Sequence, residues 1–299
     1  METGISLLQA WREGGGELAH AAGPVFTKSA GSGPDLLFIH GFPTASWDFS
    51  KIWPAFTLHL RCHTLDMIGF GFSPKPTNFP YTIGLQADLC EAFMATRNVH
   101  EFSILAHDYG DTVAQELLAR HDDGSARQRI RRIVLLNGGL FPEAHQPVLL
   151  QKLLVGPLGP LVARLTTYRR FAANMRRICA RPLTNDETDA MWELMSGNNG
   201  VAVLPRLIGY MAERRTHRAR WVGALQKNMV PVRLINGLDD PISGAHMVAR
   251  YRQLIADPDI VELTGVGHYP QIEAPGDVID AALDFLRPPD FMARATREP

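Results

Sequence analysis

Short, unbroken apolar runs recur along the chain, the pattern left by strands that are covered on both faces in a parallel sheet. The first is LeuLeuPheIle at 36–39, stopped by His40-Gly41. Similar runs follow at 62–65, 102–105, 133–136 and 232–235, and a shorter one, IleValGluLeu, at 260–263. Between several of them the period becomes helical. In residues 111–120, Val113 pairs with Leu117 and Ala114 with Leu118 at four-residue spacing, which predicts a helix opening just beyond Asp108. The alternation reads as βαβ units and an α/β fold class. From Phe141 to about Asn228 the strand-like runs stop. Helical periodicity mixed with basic residues replaces them, as in LeuLeuGlnLysLeuLeuVal and TyrArgArgPheAlaAlaAsnMetArgArg. Pro142, Pro147, Pro157 and Pro160 punctuate the start of this stretch, and GlyAsnAsnGly at 197–200 separates two of its helices. The expectation is a core domain made of 1–140 and 229–299, with a helical cap of 141–228 inserted into it. The segment from Pro288 onward is expected to be poorly ordered.

Composition narrows the function. The chain has 299 residues with 45% hydrophobic content, enough for a sizeable core. Thirty basic against thirty-one acidic residues leave a formal charge of −1, so no global field draws it to nucleic acid or to an anionic membrane. Such a balance suits a small apolar or amphipathic substrate, and it leaves a homodimer open. Cys62, Cys90 and Cys179 form no CxxC pair, and no His/Cys cluster or phosphate-cradling glycine loop is present. Neither a disulfide framework nor a metal or organic cofactor is therefore expected. The N-terminus shows no basic leader followed by an apolar run, and no stretch approaches the ~20 apolar residues of a membrane helix. A cytoplasmic location is the expectation.

Candidate chemistry begins at Ala106-His107-Asp108-Tyr109-Gly110. Small residues two before and two after a polar residue, at a strand-to-helix turn, allow the sharp bend on which a nucleophile is presented. An aspartate there is also a common helix N-cap. The choice is decided downstream. Asn236-Gly237-Leu238-Asp239-Asp240-Pro241 follows a buried run and puts an acid at a strand's carboxyl end; Gly265-Val266-Gly267-His268-Tyr269-Pro270 follows another. Open α/β sheets place their sites at that edge. Nucleophile, acid and histidine thus come in the order Asp108, Asp240, His268. Asp239 competes with Asp240, and Asp240 is preferred for its place just before Pro241. Its task is to accept the Nδ1 hydrogen bond of His268 and fix the ring's tautomer.

At these residues the chain resembles the α/β-hydrolases, with aspartate where most members carry serine. It is most similar to their epoxide hydrolase and haloalkane dehalogenase branch, whose nucleophile turn reads close to GHDWG. His40-Gly41-Phe42-Pro43, AspMetIleGlyPheGlyPheSer at 66–73 and AlaAspLeu at 87–89 look like that branch too. Within it the chain looks most like the mesoderm-specific transcript protein group, through HisAspTyrGlyAspThrValAlaGlnGluLeu at 107–117, AsnGlyGlyLeuPhePro at 137–142 and ArgTrpValGlyAlaLeu at 220–225. The resemblance covers nearly the whole chain. It implies a mostly parallel central sheet flanked by helices, with an inserted cap.

It also implies a covalent mechanism. Asp108 would attack carbon to give an alkyl-enzyme ester, which hydrolyses through its own carbonyl; a serine would leave an ether with no such carbonyl. The N–H groups of Phe42 and Tyr109 would form an oxyanion hole. Phe42, Tyr109, His107 and Tyr168 are the expected substrate contacts. Tyr210, thirty positions before Asp240, is where this branch places a tyrosine that protonates an opening epoxide; a tyrosine simply packed in a cap helix is the other reading. Tyr168 is the second candidate for that role. Two departures stand out. Tyr109 and Phe42 occupy positions where dehalogenases hold halide, which argues against dehalogenation, and Asp111 stands where a small residue is expected. Opening of epoxides to vicinal diols is the expected activity. Haloalkane dehalogenation by the same two steps is the alternative, and a non-catalytic relative that binds a ligand or partner is the third reading.

Overall fold

The computed structural model describes residues 6–156 and 158–287, with Leu150 by its backbone only. Pro157 and the tail from Pro288 lie outside the described residues. One sheet of eight strands organises the chain. They are β1 (Gly15–Leu18), β2 (Val25–Ala30), β3 (Asp35–Ile39), β4 (Arg61–Leu65), β5 (Glu101–His107), β6 (Arg129–Leu136), β7 (Val232–Gly237) and β8 (Asp259–Leu263). Their order across the sheet is β1-β2-β4-β3-β5-β6-β7-β8. β1 and β2 run antiparallel to their neighbours, and every pairing from β4 through β8 is parallel. Each apolar run read from the sequence lies in one of these parallel strands; the antiparallel pair at the edge was not anticipated.

Helices fill the connections: α1 (Leu7–Arg12), α2 (Trp53–Thr57), α3 (Ile83–Thr96) and α4 (Tyr109–Asp123) precede β6. Seven more lie between β6 and β7: α5 (Leu149–Val155), α6 (Gly159–Arg164), α7 (Tyr168–Ile178), α8 (Asn185–Ser196), α9 (Gly200–Leu207), α10 (Tyr210–Thr216) and α11 (Arg218–Lys227). After β7 come α12 (Ala245–Leu254), α13 (Pro270–Glu273) and α14 (Pro275–Leu286). The expected helix at 111–120 is α4, and Gly124 closes it at φ 79°, a left-handed conformation that suits glycine. The GlyAsnAsnGly break falls between α8 and α9. No helix among the described residues is long and apolar enough to cross a membrane, and all three cysteines are buried and free.

Several polar contacts join the helices between β6 and β7 to the sheet layer. The last of these helices, α11, lies on α4, where Glu116 accepts hydrogen bonds from Arg220 Nε (2.9 Å) and Trp221 Nε1 (2.8 Å). α8 is held by Lys75, a buried lysine beyond β4 whose ammonium donates to the carbonyls of Leu194 and Gly197, both at 2.8 Å. Those carbonyls end α8, where a helix leaves acceptors unpaired and favours positive charge. Burial lowers the Lys75 pKa to about 8, against a smaller opposing pull from Asp66.

Candidate active site

The carboxyl ends of β3, β5, β6 and β7 converge, and the candidate residues stand there. Asp108 sits between β5 and α4 at φ 48°, ψ −102°, an unfavourable backbone for any residue but glycine. Close packing holds that bend in place. A side chain at Gly110 would put its first carbon 2.2 Å from the Ile39 carbonyl oxygen, and one at Gly41 would put it 3.0 Å from Asp108 Cβ. The two glycines flanking the turn in space are therefore what lets β3 and α4 close around it.

One carboxylate oxygen of Asp108, Oδ2, accepts the Phe42 N–H at 3.1 Å. The other, Oδ1, is buried without a hydrogen bond and lies 4.0 Å from Arg214 Nη2. Arg214 is itself buried. It donates from Nε to Thr112 Oγ1 at 2.7 Å and from Nη2 to the Asp108 carbonyl at 3.2 Å, and its guanidinium lies 4.5 Å over the Tyr210 ring. A cation thus backs the turn from the insertion side. Nothing in ArgArg at 214–215 marks one of the pair as buried, so sequence reasoning missed it.

Asp240 Oδ2 and His268 Nδ1 are 2.8 Å apart. The same oxygen accepts from Ser243 Oγ (2.7 Å) and Asn137 Nδ2 (3.0 Å), while Oδ1 accepts the Ile242 N–H (2.7 Å). Burial alone would raise the Asp240 pKa, but the His268 charge and these donors bring it down to about 2. Burial would lower that of His268; the Asp240 carboxylate, with a further contribution from Asp108, overrides it and raises the pKa to about 9. Of the two candidate acids, Asp240 is the one against His268. Asn137 and Ser243 had no distinguishing signal, apart from Asn137 ending a buried run, where it adopts φ 46°.

The histidine loop is anchored by Glu273. Its Oε2 accepts the N–H groups of Gly267 (2.9 Å), Ala180 (2.8 Å) and Arg181 (2.9 Å), and its Oε1 that of Tyr269 (2.9 Å). His268 N–H donates to the Ile178 carbonyl at 2.9 Å. One carboxylate therefore binds the loop carrying His268 to the end of α7.

Tyr210 lies with this group: its ring is 4.8 Å from that of Tyr109 and 6.3 Å from that of Phe42, and its hydroxyl is buried beside Arg214. Burial and the neighbouring Asp108 charge raise its pKa. Tyr109 contributes the first residue of α4, and its ring packs inward on Phe70 and Tyr210. Neither His107 nor Tyr168 lines the cavity beside His268. The His107 ring, fully buried, bonds through Nε2 to the His268 carbonyl at 2.8 Å and lies 4.9 Å from Tyr269; burial brings its pKa down to about 4, and the ring braces the loop that carries His268. Tyr168 opens α7 at 39% exposure against Trp192, with its hydroxyl on Asp189, because the helix turns that position outward.

Asp111, the unexpected acid, is buried in the first turn of α4 against Gly138, where an added Cβ would meet Asp111 Oδ2 at 2.1 Å. Burial and then the Asp108 charge raise its pKa well above the usual range, favouring the neutral acid.

A cavity of about 40 Å³ reaches His268, lined by Phe42, Ile242 and His268 on the sheet side and by Leu154, Phe171 and Met175 among the inserted helices. It is apolar and nearly closed. Its volume is well below the ~300 Å³ at which ligand pockets usually begin.

Comparison with known proteins agrees with this architecture. The family model described as alpha/beta hydrolase fold matches residues 34–275. The chain is 40% identical over 282 residues to the putative hydrolase LipZ of Mycobacterium tuberculosis, covering 93% of this chain and 98% of that one. To the mesoderm-specific transcript homolog protein of Homo sapiens it is 35% identical over 294 residues, covering 93% and 88%. Among solved structures, a loop variant of haloalkane dehalogenase DbeA from Bradyrhizobium elkanii superposes with a TM-score of 0.75 at 20% identity, over 95% of this chain and 99% of that one. The epoxide hydrolase CorEH does so at 0.74 and 18%, over 91% and 97%. A mostly parallel eight-stranded sheet, flanking helices and a family match over most of its length lead to one conclusion: the chain belongs to the α/β-hydrolase family.

Proposed function

We propose that the protein opens epoxides to vicinal diols through an ester on Asp108. The observation that carries this reading is a carboxylate on the strand-to-helix turn with one oxygen on the Phe42 N–H and the other unbonded, beside a histidine paired to Asp240. The free oxygen attacks a ring carbon, the C–O bond breaks, and the leaving oxygen takes the Tyr210 proton. Tyr210 supports epoxide over halide chemistry, since its ring is buried against that of Tyr109 and it stands close enough to Asp108 to be affected by the carboxylate charge. Esterification cancels the Asp108 charge, one of the influences that hold His268 protonated. The His268 proton is then released as the nucleophile is consumed, and neutralises the Tyr210 phenolate. The neutral ring takes a proton from water, whose oxygen attacks the ester carbonyl. Collapse frees the diol, with the imidazolium protonating the departing alkoxide, and leaves the water oxygen in Asp108 as a carboxylic acid, whose proton passes to His268 and restores the carboxylate and imidazolium. The Phe42 N–H, already on Oδ2, is placed to stabilise the oxyanion of that step.

The test is to incubate the protein separately with styrene oxide and a short bromoalkane and to score diol and bromide. Diol from the first without bromide from the second is expected. Bromide release without diol would replace this reading by dehalogenation. In His268→Gln, mass spectrometry of the peptide containing residue 108 is expected to find the mass of one substrate added.

A further inference from the structure

The surface of the inserted helices has an unusual composition. Leu149, Leu153, Val155, Leu158, Leu161 and Leu165 are all between 47% and 66% exposed. Large apolar side chains gathered on one face of a soluble protein mark a contact surface. The charge around them is one-sided: from Ala144 to Asn185 the chain has seven Lys and Arg residues and no Asp or Glu, an asymmetry hidden by the near-zero total. Arg164, Arg170 and Arg177 are exposed on the helices concerned. α7 is basic along one side and apolar along the other, burying Phe171, Ala172, Met175 and Ile178.

Between α5, α6 and α7 runs a groove of about 500 Å³ with Leu149, Leu153, Val162 and Leu165 along it and Arg170 and Arg177 on the α7 side. Thr166 and Asn174 line both this groove and the cavity beside His268. The groove therefore runs up to the wall of the active-site cavity. Exposed leucines beside arginines, with no acid lining the groove, are what an anionic lipid surface selects: apolar side chains enter the headgroup boundary while the guanidinium groups meet the phosphates and carboxylates.

We propose that the face formed by α5, α6 and the start of α7 docks on anionic bilayers, and that an apolar chain passes from the lipid along the groove, between Thr166 and Asn174, to the cavity. Docking itself does not depend on the epoxide chemistry; only the identity of the reacting group rests on that reading.

The experiment is co-flotation of the whole protein with vesicles of phosphatidylcholine alone and with about one-third phosphatidylserine. Binding to the anionic vesicles is expected, at least about tenfold tighter than to the neutral ones and weakened by salt beyond the Debye screening range. Leu158→Glu/Leu161→Glu, both at exposed positions, is expected to lose about tenfold or more of that binding with its circular dichroism and its turnover of a short soluble substrate unchanged. Arg170→Glu/Arg177→Glu is expected to abolish the preference for phosphatidylserine. Absence of flotation with anionic vesicles overturns the proposal, as does equal flotation by the leucine variant. So does light scattering that shows a dimer dispersed by Leu158→Glu/Leu161→Glu without vesicle binding, because the face then covers a second copy of the chain.

Discussion

The sheet edge and the inserted helices meet at one cavity but are built differently. On the sheet side each reactive group is fixed by polar partners from several elements: Asp240 by Asn137, Ser243 and Ile242, and His268 by Asp240 and by the Glu273-anchored loop. Opposite them, Leu154, Phe171, Met175 and Leu204 present apolar surface, shaped by packing alone. Hydrogen bonds set direction to a fraction of an ångström, whereas van der Waals contact sets volume. On the proposed mechanism most reacting groups stand on the sheet side, while the helices contribute Tyr210 and the apolar wall that would select the substrate, and substitutions on the two sides are expected to differ in kind.

The largest effects fall on the sheet side. Asp108→Ala is expected to abolish diol formation, by about 10⁴-fold or more in kcat, with the fold retained by circular dichroism. His268→Gln is expected to slow ester hydrolysis by about 10²–10⁴-fold while leaving ester formation measurable in a single turnover. Charge coupling adds a pH signature. In Asp108→Asn the His268 pKa, observed by ring ¹⁵N chemical shift, is expected to fall from about 9, since a carboxylate that raises it is gone. Because the folded value lies above the unfolded 6.5, the imidazolium stabilises the fold fully below pH 6.5, and that contribution disappears as pH climbs through about 9.

Arg214→Met breaks the comparison from the other side, since this cation comes from an inserted helix yet faces the Asp108 carboxylate. A fall of about 10²-fold in kcat/KM is expected, carried mainly by kcat, because the buried Asp108 carboxylate loses its facing charge. An equal loss in KM alone would assign Arg214 to substrate fit. Glu273→Gln weakens the join between the two regions, where one carboxylate takes four N–H groups. A loss of about 2 kcal/mol in thermal unfolding is expected, as an amide offers a single acceptor. The smallest effect is at Asp111. Burial already favours its neutral form, so Asp111→Asn is expected to change stability by about 1 kcal/mol or less and to leave kcat within about threefold.

What sequence reasoning reached follows from range. The parallel strands were legible because a strand buried on both faces writes its burial as an unbroken apolar run, as at 36–39 and 133–136. β1 was not: GlyGlyGluLeu is an exposed edge strand whose pairing partner, not its composition, makes it a strand. Asp108, Asp240 and His268 could be picked out because each ends or follows such a run and all meet at one sheet edge. Arg214, Asn137 and Glu273 act through partners far away in the chain, and no local pattern records such a partner. Tyr210 was preferred to Tyr168 by resemblance alone, since both read as helix tyrosines in the sequence; the rotation of two helices separates them, turning one towards Asp108 and the other to the surface.

The attachment of the insertion has a further consequence for how such a protein changes over generations. Lys75 and Glu273 grip α8 and the end of α7 through carbonyls and N–H groups of Leu194, Gly197, Ala180 and Arg181. Main-chain atoms survive nearly every codon change, proline excepted. The side chains over the cavity can drift, and the substrate range with them, while the helices stay moored where they are.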